Sequence, residues 1–152
     1  MSTHQRSRRE LDLATTHLVR DSCLCLHVQR AARALARRFD EALRPFDLNN
    51  GQFSLLMALN RPVPPNLGSV AALLAMDRTT LTAALKVLER RRLVRVAVDK
   101  EDKRNRLLTI TPAGRALLNE AFPIWKKTHA KVEKELAGLN ADALRGALRA
   151  LA

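Results

Sequence analysis

The sequence predicts a mainly α-helical fold carrying one small β-hairpin, and three observations predict it. Apolar residues recur every three or four positions from Asp21 to Leu43, and again from Leu118 to Leu136. Between these stretches lie short helical segments with capping residues at their starts. Two apolar runs, Leu93 to Val98 and Leu107 to Thr111, bracket the wholly polar, mostly charged stretch Asp99 to Arg106.

Each element follows from local chemistry. Residues 1–18 carry scattered charge without a period and read as a loose arm or an extra turn of helix. From Asp21 to Leu43 one apolar stripe (Leu24, Val28, Ala31, Leu35, Phe39, Ala42) faces away from a row of arginines, and Pro45 ends the helix. Asn49 and Gln52 have capping-box spacing ahead of Phe53, Leu56 and Leu59, which starts a second helix. Three prolines between Arg61 and Pro65 make a connector. Val70 to Ala75 is a short apolar helix. Asp77 caps the next helix through Thr80, with Leu81, Leu85 and Leu88 buried, and Arg90, Arg91 and Arg92 suit the dipole at its last turn. The two alternating runs are strands, and Asp99 to Arg106 is an exposed hairpin tip. Thr111 followed by Pro112 opens a long helix with Leu118, Ala121, Trp125, Thr128, Val132 and Leu136 on one stripe. Gly138 stops it, and Asn140 caps a last helix through Leu144, Leu148 and Leu151. A helix–turn–helix followed by a two-stranded hairpin is the winged helix–turn–helix arrangement.

Composition narrows the function. The 152 residues suit one domain, and 47% hydrophobic content argues against disorder. No apolar run approaches the roughly 18 residues of a membrane span, so no membrane partner is expected. The first twenty residues lack an apolar signal core, and two cysteines do not make a disulfide framework, so the expected location is cytoplasmic. The net charge of +12 calls for an anionic partner. Aromatic residues are only 3% of the chain, which weighs against base stacking on single strands and leaves double-stranded DNA. Half the net charge, +6, falls between Arg61 and Thr111, around the capped helix and the hairpin. There is no glycine-rich phosphate loop, paired-histidine metal motif or nucleophile elbow, and His4, His17, His27 and His129 are dispersed. Neither an enzyme nor a cofactor is expected.

The run from Asp77 to Gly114 resembles the multiple-antibiotic-resistance regulator (MarR) family of winged helix–turn–helix transcription factors. The matching pieces are Asp77-Arg78-Thr79-Thr80-Leu81-Thr82, Leu88-Glu89-Arg90-Arg91, Asp102 and Arg104 in the wing, and Leu108 through Gly114. Order and length of the flanking helices agree from about residue 20 onward. The resemblance divides the chain into an arm (1–18), a helical dimerisation region (19–47 and 112–152) and a DNA-binding region (48–111). It implies a homodimer whose terminal helices intertwine, reading a pseudo-palindromic site with half-sites about one helical turn apart.

The resemblance also assigns candidate residues. The helix from Asp77 would enter the major groove with Arg78, Thr79, Thr80, Thr82 and Lys86 toward base edges and phosphates. Ala83 stands where the family often has Arg, and Arg92 where it usually has Gly. In the wing Arg104 would enter the minor groove, oriented by Asp102, with Lys100, Lys103 and Arg106 on phosphates. Cys25, His27, Arg30, Arg33, Phe53 and Met57 are candidates for a small aromatic or anionic effector, whose binding would relieve repression.

Cys23 and Cys25, two apart on a helix, point to nearly opposite faces and cannot pair within it; Cys23 and His27 share a face as half a metal site. Leu24-Cys25-Leu26 also resembles the reactive-cysteine region of the family's organic-hydroperoxide-sensing branch, which positions its cysteine with tyrosines that this chain lacks. A buried, structural Cys25 is the expectation, with cysteine-based peroxide sensing as the alternative. A sequence-independent architectural DNA-binding protein would share the charge without the effector.

Overall fold

A computed structural model describes residues 10–152, so the first nine residues of the expected arm lie outside it. Seven α-helices and one hairpin follow in order: α1 (Leu13–Ser22), α2 (Leu24–Leu43), α3 (Asn50–Leu59), α4 (Leu67–Leu73), α5 (Arg78–Arg90), β1 (Val94–Val98), β2 (Arg106–Ile110), α6 (Pro112–Glu135) and α7 (Ala141–Arg149). The chain forms two compact units, Met1–Arg37 and Arg38–Ala152. Among the described residues no helix is long and apolar enough to cross a membrane.

In the first unit the helix expected from Asp21 begins at Leu24 as α2, and a separate ten-residue helix, α1, starts at Leu13 within the segment expected to be a loose arm or an extra turn. Cys23, at ψ 105°, separates the two. The Cys23 N–H closes α1 on the Val19 carbonyl at 3.0 Å, while its Sγ accepts the Leu26 N–H at 3.4 Å and opens α2. Ser22 Oγ donates back to the Leu18 carbonyl at 2.5 Å, the kind of side-chain bond that bends helices. The cysteines therefore do not share a helix: Cys23 is the joint and Cys25 lies in α2. The apolar stripes stay largely exposed, Leu24 at 70% and Leu18 at 65%.

The core lies in the second unit, where Leu43, Phe53, Leu56, Leu59, Leu81, Leu85, Leu88, Leu108, Ile110, Leu118 and Ala121 are buried together. Its helix starts are set by side chains that satisfy the first free N–H groups. Asn49 and Gln52 form a reciprocal capping box on α3. Asn66 Oδ1 accepts the Ser69 N–H at 2.8 Å, so α4 begins at Leu67, three residues before the expected start. Thr111 caps α6 through the Gly114 N–H, and Asn140 caps α7 through the N–H groups of Asp142 and Ala143.

The hairpin is antiparallel with Val94 opposite Ile110 and Val98 opposite Arg106. Arg106 is thus the first residue of β2, which shortens the expected tip by one residue. Within β2, the Leu108 N–H donates to the Pro65 carbonyl at 2.9 Å, tying the proline connector to the strand.

The exit of α5 carries backbone strain. Arg92 sits at φ 59°, the left-handed region where the family resemblance places glycine. Its N–H reaches the Glu89 carbonyl at 2.8 Å, and the Leu93 N–H reaches the Leu88 carbonyl at 3.0 Å. The left-handed geometry costs a non-glycine residue about 1–2 kcal/mol, against about 0.5–1 kcal/mol of extra chain entropy for glycine. Arg92→Gly should therefore stabilise the chain by about 0.5–1 kcal/mol in urea denaturation; a loss of stability would contradict the strain account.

Candidate DNA-binding surface

Helix α5 owes its place to two ends. At its start Asp77 accepts the Thr80 N–H at 2.8 Å and the Thr80 hydroxyl at 2.6 Å. The Thr80 hydroxyl, then the backbone N–H groups, hold the Asp77 carboxyl below its usual 3.8. This cap contributes above the ordinary carboxylate range and is lost as pH falls through the lowered value. Beyond its end, Arg91 donates to the Asp47 carbonyl at 2.6 Å, binding the exit of α5 to the turn before α3. Leu81, Leu85 and Leu88 fix the rotation of the helix by burying one face.

That rotation brings Arg78, Thr79, Thr82, Ala83 and Lys86 onto one open groove. Four of these five are sequence candidates, and the fifth is the alanine where the resemblance has arginine. The threonines differ in what they offer. The Thr80 hydroxyl donates to the Asp77 carboxylate at 2.6 Å and the Thr82 hydroxyl to the Arg78 carbonyl at 2.7 Å, so both offer only their lone pairs, as acceptors. Thr79 is exposed at the first turn.

At the hairpin tip Asp102 organises the loop. Its Oδ1 accepts the Arg104 N–H at 3.0 Å and Arg104 Nε at 3.2 Å, and its carbonyl accepts the Asn105 N–H at 2.9 Å. The Arg104 side chain nevertheless remains 91% exposed, a cation presented at a set position. Lys100 and Lys103 are exposed beside it. Arg106 folds back, its Nη1 3.2 Å from the Lys103 carbonyl and 3.3 Å from that of Asn105.

Comparison with known proteins fits this surface. The MarR family model matches residues 46–105, from the turn before α3 through the wing tip. The structure of the Mycobacterium tuberculosis transcriptional regulator MosR in complex with DNA is 36% identical, covering 85% of this chain and 92% of that one at a TM-score of 0.76. The chain belongs to the MarR family. The transcriptional repressor CouR bound to a 23-mer DNA duplex superposes with the same TM-score at 29% identity, over 93% of this chain and 98% of that one. The regulator TtmR of Methylorubrum extorquens is 34% identical over 97 residues, 64% of this chain and 50% of its own. Matches to the curated relatives span between half and two thirds of those proteins' length. These relatives are transcriptional regulators.

The effector candidates are distributed over both units. Phe53 and Met57 line an open groove of about 360 Å³ in the second, with Ala58, Arg61, Leu73 and Trp125. Trp125 stacks on Phe53 and Phe122 at 5.9 Å and on His129 at 4.8 Å. Cys25, His27, Arg30 and Arg33 belong to the first unit and are exposed along α2. His27 Nδ1 lies 2.8 Å from the Cys23 carbonyl, and no three metal-ligating side chains come together among the described residues. Cys25 is exposed rather than buried, because α2 turns it outward beside Gln29, whose Nε2 is 3.2 Å from Sγ. Arg61 and Trp125 carry no effector signal in the sequence. Arg61 sits in a connector, and Trp125 carries the same spacing signal as its purely structural neighbours.

Proposed function

We propose that the chain is a homodimeric, sequence-specific DNA-binding regulator, acting in the cytoplasm as a repressor that leaves a pseudo-palindromic operator when a small aromatic or anionic ligand binds. The observation that carries this reading is the pairing of the Arg78, Thr79, Thr82 and Lys86 face of α5 with an arginine held out at the wing tip by Asp102. The first supplies side chains suited to base edges and phosphates, and the second a cation suited to a narrow minor groove. MosR and CouR, both solved with DNA, support it at 36% and 29% identity. Residues 48–111 are then the DNA-binding region.

Residues 19–47 and 112–152 are the dimerisation region. In support, Leu24 in the first unit and Leu144 and Leu148 in the second are exposed leucines on amphipathic helices, as surfaces awaiting a second copy would be, and Leu151, just past the end of α7, is exposed as well. The ligand reading rests on the aromatic groove at Phe53 and Trp125 with Arg61 in its wall, where a flat anion finds stacking and charge together. Selection from a randomised duplex pool tests the central reading. It should return a two-fold pseudo-palindrome with half-sites about 10 bp apart. Recovery of unrelated sequences would contradict it.

Exposure of Cys25 favours a second reading, release of DNA by cysteine oxidation. Mild peroxide should then lower DNA affinity together with loss of the free Cys25 thiol by mass spectrometry. Unchanged binding with Cys25 still reduced removes it.

A further inference from the structure

The guanidinium of Arg78 does not stand free at the start of α5. It lies across the first turn of α4, over Gly68. A β-carbon at residue 68 would be 3.1 Å from Arg78 Nη2 and 4.0 Å from its Cζ, closer than an ordinary contact for the first of these. Gly68 is half-buried, in the second position of a helix whose start Asn66 already caps, and its backbone does not adopt a conformation reserved for glycine. Nothing in the local structure of α4 therefore asks for glycine there, and alanine is the better helix former. What the missing side chain provides is a bare shelf for the guanidinium.

We infer that Gly68 is a positioning residue for DNA recognition: it sets where Arg78 holds its charge on the rim of the α5 groove. This rests on the reading of Arg78 as a DNA contact. Arg78 has a flexible stem, and a long side chain that must find its place on binding loses affinity through the ordering it undergoes. A shelf that already supports the planar guanidinium removes part of that loss. It also fixes the direction from which Arg78 reaches the duplex, so residue 68 bears on which phosphate or base edge is met. A side chain at 68 displaces the guanidinium, slightly for alanine and fully for leucine. The signal is absent from sequence spacing, because residues 68 and 78 meet only through the packing of α4 on α5.

The test is a double-mutant cycle, read by fluorescence anisotropy with the duplex that wild-type protein selects from a randomised pool. G68A, G68L, R78A and the two combinations are titrated, with thermal melting as a check on the fold. G68A should melt no lower than wild type and bind about threefold more weakly, and G68L about tenfold more weakly. In the R78A background both losses should shrink to less than about twofold, since the group they displace is gone. Equal losses with and without Arg78 overturn the inference while leaving Arg78 as a DNA contact. So does a G68A protein that binds as wild type while R78A binds weakly. If R78A alone leaves affinity unchanged, the reading of Arg78 fails and the inference with it. Should G68L melt early, the G68A arm decides on the same criteria.

Discussion

Gly114→Ala should lower the stability of the chain by about 3 kcal/mol, a fall of roughly 10 °C in thermal midpoint for a chain of this size. The glycine lies in the first turn of α6, where Thr111 Oγ1 caps its N–H at 3.0 Å. A β-carbon there would lie 2.2 Å from the Leu93 carbonyl oxygen and 2.8 Å from Ile110 Cγ1. Neither neighbour can step aside. The Leu93 carbonyl also accepts the Thr111 N–H and hydroxyl, both at 3.0 Å, and Ile110 is buried in the core at the end of β2. One methyl group therefore prises the long helix from the base of the hairpin. Circular dichroism melting measures the effect, and a midpoint within about 2 °C of wild type would mean that this junction relaxes freely.

Arg104→Ala should weaken binding to the selected duplex by about 10- to 100-fold and lower the slope of log affinity against log salt by about one. Lys103→Ala should cost only about threefold, because a lysine on a mobile stem contributes as a point charge. The difference arises from Asp102, which binds both the backbone N–H and Nε of Arg104 and so presents the guanidinium without covering it. Surface ion pairs of this kind add little to folding, so melting should not move. Equal titration curves for wild type and Arg104→Ala would remove the wing from the recognition surface.

What could be read from the sequence was local. Asn49 with Gln52, Asp77 with Thr80, Thr111 with Pro112, and Asn140 each announce a helix start within three residues, and each start lies where those residues put it. The burial of Leu81, Leu85 and Leu88 follows from the same short-range periodicity, and with it the face that α5 leaves open. What escaped depends on partners distant in the chain or on competition between bonds. The break at Cys23 arises where the Cys23 thiol accepts the Leu26 N–H and Ser22 bonds back to the Leu18 carbonyl, just ahead of the apolar stripe, where residue spacing marks no joint. Arg106 joins β2 because Val98 pairs with it, although its charge marks it as tip. Cys25 is exposed, although its sequence neighbours Leu24 and Leu26 suggest an interior. The contact of Gly68 with Arg78 needs two helices in register.

On the function proposed above, this MarR-family chain reads duplex DNA by sequence, as a dimer. Fluorescence-anisotropy titration of the selected duplex against a scrambled one of equal length, across a salt series, tests it most directly. Saturation is expected at two chains per site, with affinity for the selected duplex about 10³-fold or more above the scrambled one. Equal, steeply salt-dependent binding to both duplexes would contradict it, and would make the chain a binder of DNA charge alone.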